Sequence, residues 1–355
     1  MARLKVLAFD YAIAGGPGAR ALPCALAQQG GMLLQALLAD LGAVPGVELH
    51  TMPAPGDAGW PLDAASNAKT FDERLADCVQ AADAVWPLAL ETAGLLEGLS
   101  RDILRGKRVL LGSAPGAVRV AASKREVARA LIAGGVPAVP TYSPHASLPE
   151  VQGAWVVKPD DGAGCLDTRL FSDRAAALAH VRAHAAQDYV LQPFVPGELG
   201  SLSLLCCDGQ AWVLSCNRER VAVRDNRFHF IGSTVNGLDD ADGVLASLAR
   251  QVAAALPTLW GYVGVDFIRS SAGTVVLDVN PRLTAAYAGL HAAIGCNPAG
   301  LVIDLLKGPA ALQAGAVPAT RRRAVCVDVD SLGQPWEPDW AGSPGLPAGA
   351  PSSPI

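Results

Sequence analysis

Gly264-Val265-Asp266-Phe267-Ile268 and, after a short break, Val275-Val276-Leu277-Asp278-Val279-Asn280-Pro281-Arg282 are the segments on which the fold turns. β-Branched residues crowd both, and Ser270-Ser271-Ala272-Gly273 supplies a turn between them, so they read as a hairpin. Side chains alternate between the faces of a strand, so Asp278 and Asn280 share one face and Asp266 on the partner strand can join them. Three oxygen ligands then converge on one spot. That set suits Mg²⁺, a hard cation held by one or two carboxylates and completed by water and substrate phosphate. Taken alone, Asp-x-Asn reads equally well as polar residues facing water, and the rest of the chain decides between the two.

The chain has 355 residues, of which 51% are hydrophobic and 17% charged, with a net charge of -5. This length supports two or three compact units, and this balance lacks the basic field that attracts nucleic acid. No apolar run reaches the ~18 to 20 residues that a bilayer-spanning helix needs. Met1-Ala2-Arg3-Leu4-Lys5-Val6 leads into a strand rather than a signal peptide, so the expected location is the cytoplasm. The eight cysteines are scattered, with Cys206-Cys207 adjacent and no C-x-x-C pair. That pattern argues against a zinc site and a disulfide framework, leaving reduced, mostly buried thiols.

Toward the amino terminus, Lys5 to Phe9 is an apolar run closing on Asp10, and Val47 to Met52 is a second one reached through an amphipathic stretch over 26–41. This is a βαβ opening. Between the two runs, Gly15-Gly16-Pro17-Gly18-Ala19-Arg20-Ala21 contains a G-x-G-x-x-A string. A dinucleotide site needs that turn to open directly into a helix and needs an acidic residue closing the second strand. Pro23 interrupts the first requirement and Glu48-Leu49-His50-Thr51 lacks a ribose acceptor at its tip, so hydride chemistry is set aside. A loop rich in Pro, Gly and Asp over 53–63 precedes a helix over 72–82 and the strand Ala84-Val85-Trp86-Pro87. Glu91-Thr92 follows at the carboxyl end of that strand, where ligands of open α/β sheets bind, which makes Glu91 a candidate substrate contact. Its alternative is a carboxylate favoured at a helix N-terminus.

Arg108 to Leu111 is the last strand of this first unit, and Ser123-Lys124 opens a helix to Ile132 that Gly134-Gly135-Val136-Pro137 stops. Trp155-Val156-Val157-Lys158-Pro159 then places an exposed lysine at a strand end, ahead of the loop Asp160-Asp161-Gly162-Ala163-Gly164-Cys165. A lysine beside a small-residue loop with free backbone N–H groups is what gripping phosphate oxygens requires. The loop does not match G-x-x-x-x-G-K-[ST], which excludes a P-loop enzyme. His180 and His184, at i, i+4 in a helix over 174–184, lack the acidic partner of a zinc motif and read as a solvated face. A strand over 189–195, kinked by Pro193 and Pro196, leads into two hairpins: 202–207 with 212–218, turning at Asp208-Gly209, and 221–224 with 228–231, turning at Asp225-Asn226. A helix over 243–256 reaches the central hairpin. From Gly333 the composition collapses into Pro, Gly and Ser, so a disordered tail is expected over 333–355.

Taken in order, these parts resemble the ATP-grasp superfamily, whose members hold ATP between two α+β subdomains and join a carboxylate to an amine. The resemblance runs from about Lys5 to Ala324. It implies an N-terminal open α/β (pre-ATP-grasp) domain over 1–118, a central lid subdomain over 119–190 and a C-terminal ATP-grasp subdomain over 191–332. Ser123-Lys124 resembles the family's first nucleotide lysine, and Lys158-Pro159 with Gly162 and Gly164 resembles the second lysine and the flexible lid over the phosphates. Gln192-Pro193-Phe194-Val195 resembles the hinge that meets adenine. Asp266, Asp278 and Asn280 fall on the family's metal ligands, and Arg282 on the arginine that steadies the transferred phosphoryl group. Glu91 and Arg218 are the expected substrate contacts. Two departures stand out. Asp278 replaces the usual glutamate, and the glutamate that holds the ribose falls at Leu199, so Glu198 can serve only if its strand slips by one residue, which reverses the face.

Within the superfamily the chain is similar to the tyramine-glutamate ligase group of methanofuran synthesis. Phe9-Asp10-Tyr11, Gly46-Val47-Glu48-Leu49 and Leu88-Ala89-Leu90-Glu91-Thr92 resemble that group's N-terminal domain, and Asp278-Val279-Asn280-Pro281-Arg282-Leu283-Thr284 with Tyr287 and Gly289-Leu290 resembles its metal-strand signature. The resemblance implies an ADP-forming ligase that joins the carboxylate of glutamate to a tyramine- or tyrosine-like amine through an acyl phosphate. ATP and Mg²⁺, or Mn²⁺ in its place, would be bound. The implied partners are small molecules, neither nucleic acid nor membrane, with a homodimer left open. Two alternatives stay open as well: a catalytically silent ATP-binding regulatory protein, and an ATP-grasp ligase with other substrates.

Overall fold

The computed structural model describes residues 3–52, 69–312 and 323–329, so the loop expected over 53–63 and the tail expected over 333–355 lie outside the described residues. β1 (Leu4–Asp10), α1 (Cys24–Gly42) and β2 (Val47–Thr51) form the opening βαβ unit, with β1 and β2 parallel and Leu4 opposite Val47. Parallel strands need such a crossover, and α1 supplies it. The glycine string does not open α1. Gly18, at φ 79°, leads into a three-residue 3₁₀ turn over Ala19–Ala21, and the helix starts only after Pro23. α2 (Phe71–Ala81) begins with a capping box, in which Thr70 and Glu73 satisfy each other's backbone N–H groups. β3 (Ala84–Leu88), α3 (Leu95–Arg105) and β4 (Val109–Leu110) complete a four-stranded sheet of order β2-β1-β3-β4, parallel throughout. Every residue of β3 is buried, as in a parallel sheet covered on both faces.

The second half begins with α4 (Pro115–Ala122) and α5 (Lys124–Ala133), where Ser123 Oγ accepts the Glu126 N–H at 3.1 Å and so caps α5. β5 (Trp155–Pro159), β6 (Arg169–Phe171), α6 (Arg174–Ala183) and β7 (Tyr189–Pro193) form one lobe. β7 pairs antiparallel with β5, so this strand crosses residue 190, the boundary expected between the two subdomains. β8 (Glu198–Cys207), β9 (Gln210–Arg224) and β10 (Arg227–Val235) follow. Two separate hairpins were expected here. Instead β9 runs unbroken through Glu219-Arg220 and serves both turns, giving a meander. Its turns have left-handed residues at both centres, Asp208 and Gly209 (φ 49° and 71°) and Asp225 and Asn226 (φ 51° and 59°), which match the strand twist. α7 (Val244–Ala255), β11 (Gly261–Ser270), β12 (Gly273–Asn280), α8 (Tyr287–Ile294), α9 (Pro298–Leu305) and β13 (Val325–Asp328) complete the described chain. The second sheet has the order β12-β11-β8-β9-β10-β6-β5-β7, with β13 added on β10.

One apolar cluster joins the two halves: Leu33, Leu37 and Leu41 of α1 pack with Tyr287, Leu290 and Ile294 of α8. A polar latch crosses it. Buried Asp40 of α1 accepts the Tyr287 hydroxyl at 2.9 Å and lies 2.5 Å from His291 Nδ1, while Asn297 Nδ2 donates to the Asp40 carbonyl at 2.7 Å. Other expectations met corrections. All eight cysteines are free as expected, yet only Cys206, Cys207 and Cys216 are buried, and Cys24 and Cys326 are exposed. Of the histidines expected on a solvated face, His184 is exposed, with Nδ1 bonded to the His180 carbonyl, but His180 is half-buried beside the rings of Phe171 and Tyr189. Among the described residues, no helix is long and apolar enough to cross a membrane. Asp40→Ala is expected to leave the buried Tyr287 hydroxyl without an acceptor and to cost roughly 1–3 kcal/mol, read as a lower urea midpoint at unchanged slope. An unshifted midpoint would show that the latch contributes nothing.

Candidate active site

The central hairpin forms with Asp266 directly opposite Asp278 and Gly264 opposite Asn280, and a bulge follows Asp266. Cross-strand partners share a face, so the two carboxylates and the amide meet as expected, with Asn280 Nδ2 donating to Asp266 Oδ2 at 3.0 Å. Burial, and then the charge of Asp278, push the Asp266 carboxyl up to about 6. Among the described residues no group of three or more His, Cys, Asp or Glu has metal-holding geometry. The oxygen set here is smaller: two carboxylates and one amide, with mutual repulsion between the two acids. It fits Mg²⁺, which takes few protein ligands and keeps sites for water and phosphate, and whose charge would relieve that repulsion.

Two lysines reach the same place, Lys158 from the β5–β7 lobe and Lys124 from α5, which packs in one apolar cluster with β11 and β12. Lys124, the first residue of α5, places Nζ 3.3 Å from Asp278 Oδ2 and donates to the carbonyls of Gly162 at 2.6 Å and Asp160 at 3.3 Å. Lys158, at the end of β5, was expected to be exposed but is buried. Burial lowers its ammonium to about 8, against the opposing pull of Asp278. Asp160, which sequence reasoning passed over, ties the lysines together: its carboxylate accepts the Ser123 hydroxyl at 2.6 Å and the Arg125 N–H at 3.0 Å at the start of α5. The glycine loop is anchored on two sides. Gly162 gives its carbonyl to Lys124, and Gly164 sits at φ +63°, where a side chain would be strained and its Cβ would fall 2.8 Å from Leu26 of α1.

The first domain reaches the site through Glu91-Thr92-Ala93. Arg282 Nε donates to Glu91 Oε2 at 2.7 Å, both side chains being largely buried, and Arg282 Nη2 lies 3.4 Å from Asn280 Oδ1. Glu91 makes no capping hydrogen bond, so it serves the arginine rather than a helix N-terminus. The next residues hold the glycine loop, with Thr92 Oγ1 donating to the Asp161 carbonyl at 3.2 Å and the Ala93 N–H to Asp161 Oδ2 at 3.0 Å. At the hinge, Gln192 is buried and donates to Thr141 Oγ1 at 2.7 Å. It shares a face of the β5–β7 pair with Lys158, since Lys158 stands opposite Val190 and Val156 opposite Gln192. The Phe194 N–H is taken by the Ala154 carbonyl at 2.9 Å, and Phe194 and Val195 are half-buried beyond the strand end.

Two expected residues lie elsewhere. β8 does not slip: Ser201 stands opposite Asp266, Leu199 opposite Ile268 and Glu198 opposite Arg269. Leu199 therefore shares the face of Asp266, and Glu198 points to the other side, where Arg269 Nη2 donates to it at 2.6 Å and Arg218 Nε at 2.8 Å. The ribose contact proposed for Glu198 and the substrate contact proposed for Arg218 both fail on strand parity, because these two residues bind each other on the opposite face. The acidic residue that β9 adds to the site face is Glu219, whose carboxylate accepts the hydroxyls of Ser201 and Ser233. The alternation through β9 would have placed it there had the strand been read as continuous.

Comparison with known proteins bears on this geometry. The pre ATP-grasp 3 domain family matches residues 51–118 and the ATP-grasp domain family matches residues 121–286. Tyramine–L-glutamate ligase of Methanocaldococcus jannaschii is 31% identical over 104 residues, which are 29% of this chain and 32% of that protein. The match thus spans about a third of that relative's length. An ATP-grasp superfamily protein from Archaeoglobus fulgidus superposes with a TM-score of 0.66 at 22% identity, covering 84% of this chain and 88% of the other. The L-amino acid ligase from Bacillus licheniformis gives a TM-score of 0.59 at 16% identity, covering 85% of this chain and 74% of the other. D-alanine–D-alanine ligase from Bacillus anthracis, solved with ATP, gives 0.62 at 13% identity, covering 86% and 96%. At such identities the likeness is one of fold. The consecutive domain matches, carried on a parallel sheet followed by an antiparallel one with lysines and acids meeting between lobes, show that the chain belongs to the ATP-grasp superfamily, with a pre-ATP-grasp domain ahead of its ATP-grasp domain.

Proposed function

We propose that the protein is an ATP-dependent carbon–nitrogen ligase that activates a carboxylate as an acyl phosphate and passes the acyl group to an amine, releasing ADP and phosphate. The observation that carries this reading is the meeting of Lys124, Lys158, Asp266, Asp278, Asn280 and Arg282 between lobes that separate elements supply. Phosphoryl transfer leaves a protein little covalent work, and positioning with electrostatic stabilisation does most of the rest. The ammonium groups of Lys124 and Lys158 would take the phosphate oxygens, and the carboxylates of Asp266 and Asp278 with the Asn280 amide would hold Mg²⁺ or Mn²⁺. When bound, that ion neutralises charge on the phosphates. Arg282, fixed by Glu91 and Asn280, would face the transferred group with its planar fork held still. Gln192, Phe194 and Val195 at the end of β7 would border the adenine. The Gly162–Gly164 loop would close over the phosphates.

For the substrates, the local likeness to tyramine–L-glutamate ligase supports glutamate as the carboxylate and a tyramine- or tyrosine-like amine as the acceptor, in methanofuran-type cofactor synthesis. A silent nucleotide-binding protein is the second reading, and the aliphatic Leu199 on the site face where the family places its ribose glutamate favours it. Release of ADP that depends on both carboxylate and amine separates the two readings.

With ¹⁸O in the substrate carboxylate, one label is expected in the released phosphate, because the acyl phosphate leaves a carboxylate oxygen on phosphorus when the amine attacks. Unlabelled phosphate from an active enzyme would sink the acyl-phosphate route. Because burial lowers the Lys158 ammonium to about 8, the free enzyme loses this cation as the pH rises, and kcat/KM for ATP is expected to fall on the alkaline side. Lys158→Arg, charged throughout, should move that limb upward, and Lys158→Met should lose turnover by orders of magnitude at every pH. A parent profile flat to beyond about pH 9 would remove the Lys158 ammonium from nucleotide binding.

A further inference from the structure

The face that carries Asp266 continues across β8, β9 and β10 as a patch of polar side chains that no step above uses. Ser201, Ser203, Ser215, Asn217 and Ser233 are all buried, four of them completely. Asn217 Nδ2 donates to the hydroxyls of Ser201 at 3.1 Å and Ser203 at 3.2 Å, and its Oδ1 accepts the Asn236 N–H at 3.2 Å. The Ser201 and Ser233 hydroxyls both donate to Glu219 Oε1, the latter at 3.1 Å. Glu219 Oε2, sealed from solvent, has no hydrogen-bond partner, and neither has Ser215 Oγ.

Two of the acids around the site have a cationic partner and two have only neutral ones, and Glu91 Oε1 is likewise without a hydrogen-bond partner. Glu91 is paired with Arg282 and Asp278 with Lys124, while Asp266 accepts the Asn280 amide. Glu219 receives hydroxyls alone. The neighbouring Arg220 spends its Nη2 on the Val327 carbonyl at 3.0 Å and on Asp328 at 2.5 Å. Burial and the charge of Asp266 push the Glu219 carboxyl up to about 7. A buried carboxylate on the face that carries Asp266, with one oxygen fixed by hydroxyls and the other without a partner, would be completed by a ligand cation. An anion would be repelled there. A divalent metal is poorly served by a single carboxylate whose other oxygen is already bonded twice.

We infer that Glu219, fixed by Ser201 and Ser233, receives the amine substrate as an alkylammonium whose N–H groups meet Oε2 beside the phosphoryl-transfer centre. One of those protons passes to the carboxylate, and the freed amine then forms the C–N bond as the acyl C–O bond breaks and phosphate leaves. This rests on the ligase reading and assigns its acceptor subsite to the face of β9.

Hydroxylamine separates the subsite from the reaction, because it is small and uncharged at neutral pH and intercepts an acyl phosphate without a cation site. The parent is given ATP, Mg²⁺ and glutamate with hydroxylamine and tyramine in competition, or with whichever primary amine of a panel it accepts, and the ratio of amide to hydroxamate is read. Glu219→Gln is expected to lower that ratio about tenfold or more, the scale of one lost charge-assisted hydrogen bond. Glu219→Asp, which keeps the charge on a shorter arm, should fall between parent and Glu219→Gln. Should Glu219→Gln fail to fold, Ser233→Ala should lower the ratio by a smaller factor. An unchanged ratio in the folded variants, or a changed Mg²⁺ or ATP requirement at constant ratio, overturns the subsite. A parent that forms hydroxamate but accepts no primary amine also overturns it. A parent that forms no hydroxamate from glutamate or from any other amino acid supplied in its place overturns the ligase reading itself.

Discussion

Lys124 reaches from the first turn of α5 to Asp278 on the far strand of the second sheet, and the site is built around that buried contact. Charges taken out of water are costly unless they find partners, and removing one partner from a buried pair costs roughly 3–5 kcal/mol. Lys124, Lys158, Asp266 and Asp278 meet within one enclosed region, where burial works against the charges of Lys158 and Asp266 and the neighbours of opposite sign partly offset it. The lowered Lys158 and raised Asp266 are the record of that enclosure. Groups in this condition are poised to exchange their partners for phosphate and a divalent cation, which supply opposite charge to both sets.

The same constraint explains how the first domain participates. It sends Glu91 to Arg282 and Thr92-Ala93 to the glycine loop, so one short segment after β3 touches both the arginine and the loop over the lysines. The Asp40 latch and the shared α1–α8 core keep that segment in place. The N-terminal domain is therefore part of the site's wall. A substrate entering near Arg282 meets residues from both domains.

Much of this was legible in the sequence where local pattern and final face coincide. The hairpin of β11 and β12 announced itself by β-branched runs around a turn, and period-two alternation put Asp266, Asp278 and Asn280 together. Ser123-Lys124 was readable as a helix start because a serine cap leaves a local signature. The failures have physical causes too. Glu198 and Arg218 are separated from the site by one step of alternation, and only the register of β8 against β11 fixes which face they take. Glu219 stayed hidden because β9 was read as ending at Arg218. The Arg282–Glu91 pair spans 191 residues, and the Asp160 link to α5 spans more than thirty, so neither leaves a local trace. α8 and α9 are apolar on nearly every face, which erases the helical period by which a surface helix is recognised.

The central claim is that the two half-buried aspartates and two buried lysines form one site for a metal-bound nucleotide. Calorimetric titration of ATP into the protein, with and without Mg²⁺, tests it most directly when repeated on Asp278→Asn. The parent should bind ATP markedly more tightly with Mg²⁺ present, and Asp278→Asn, which keeps the shape and removes the charge, should lose most of that Mg²⁺ dependence while remaining folded. A parent that binds ATP equally well without the ion, or an Asp278→Asn variant whose Mg²⁺ dependence is intact, would contradict the account.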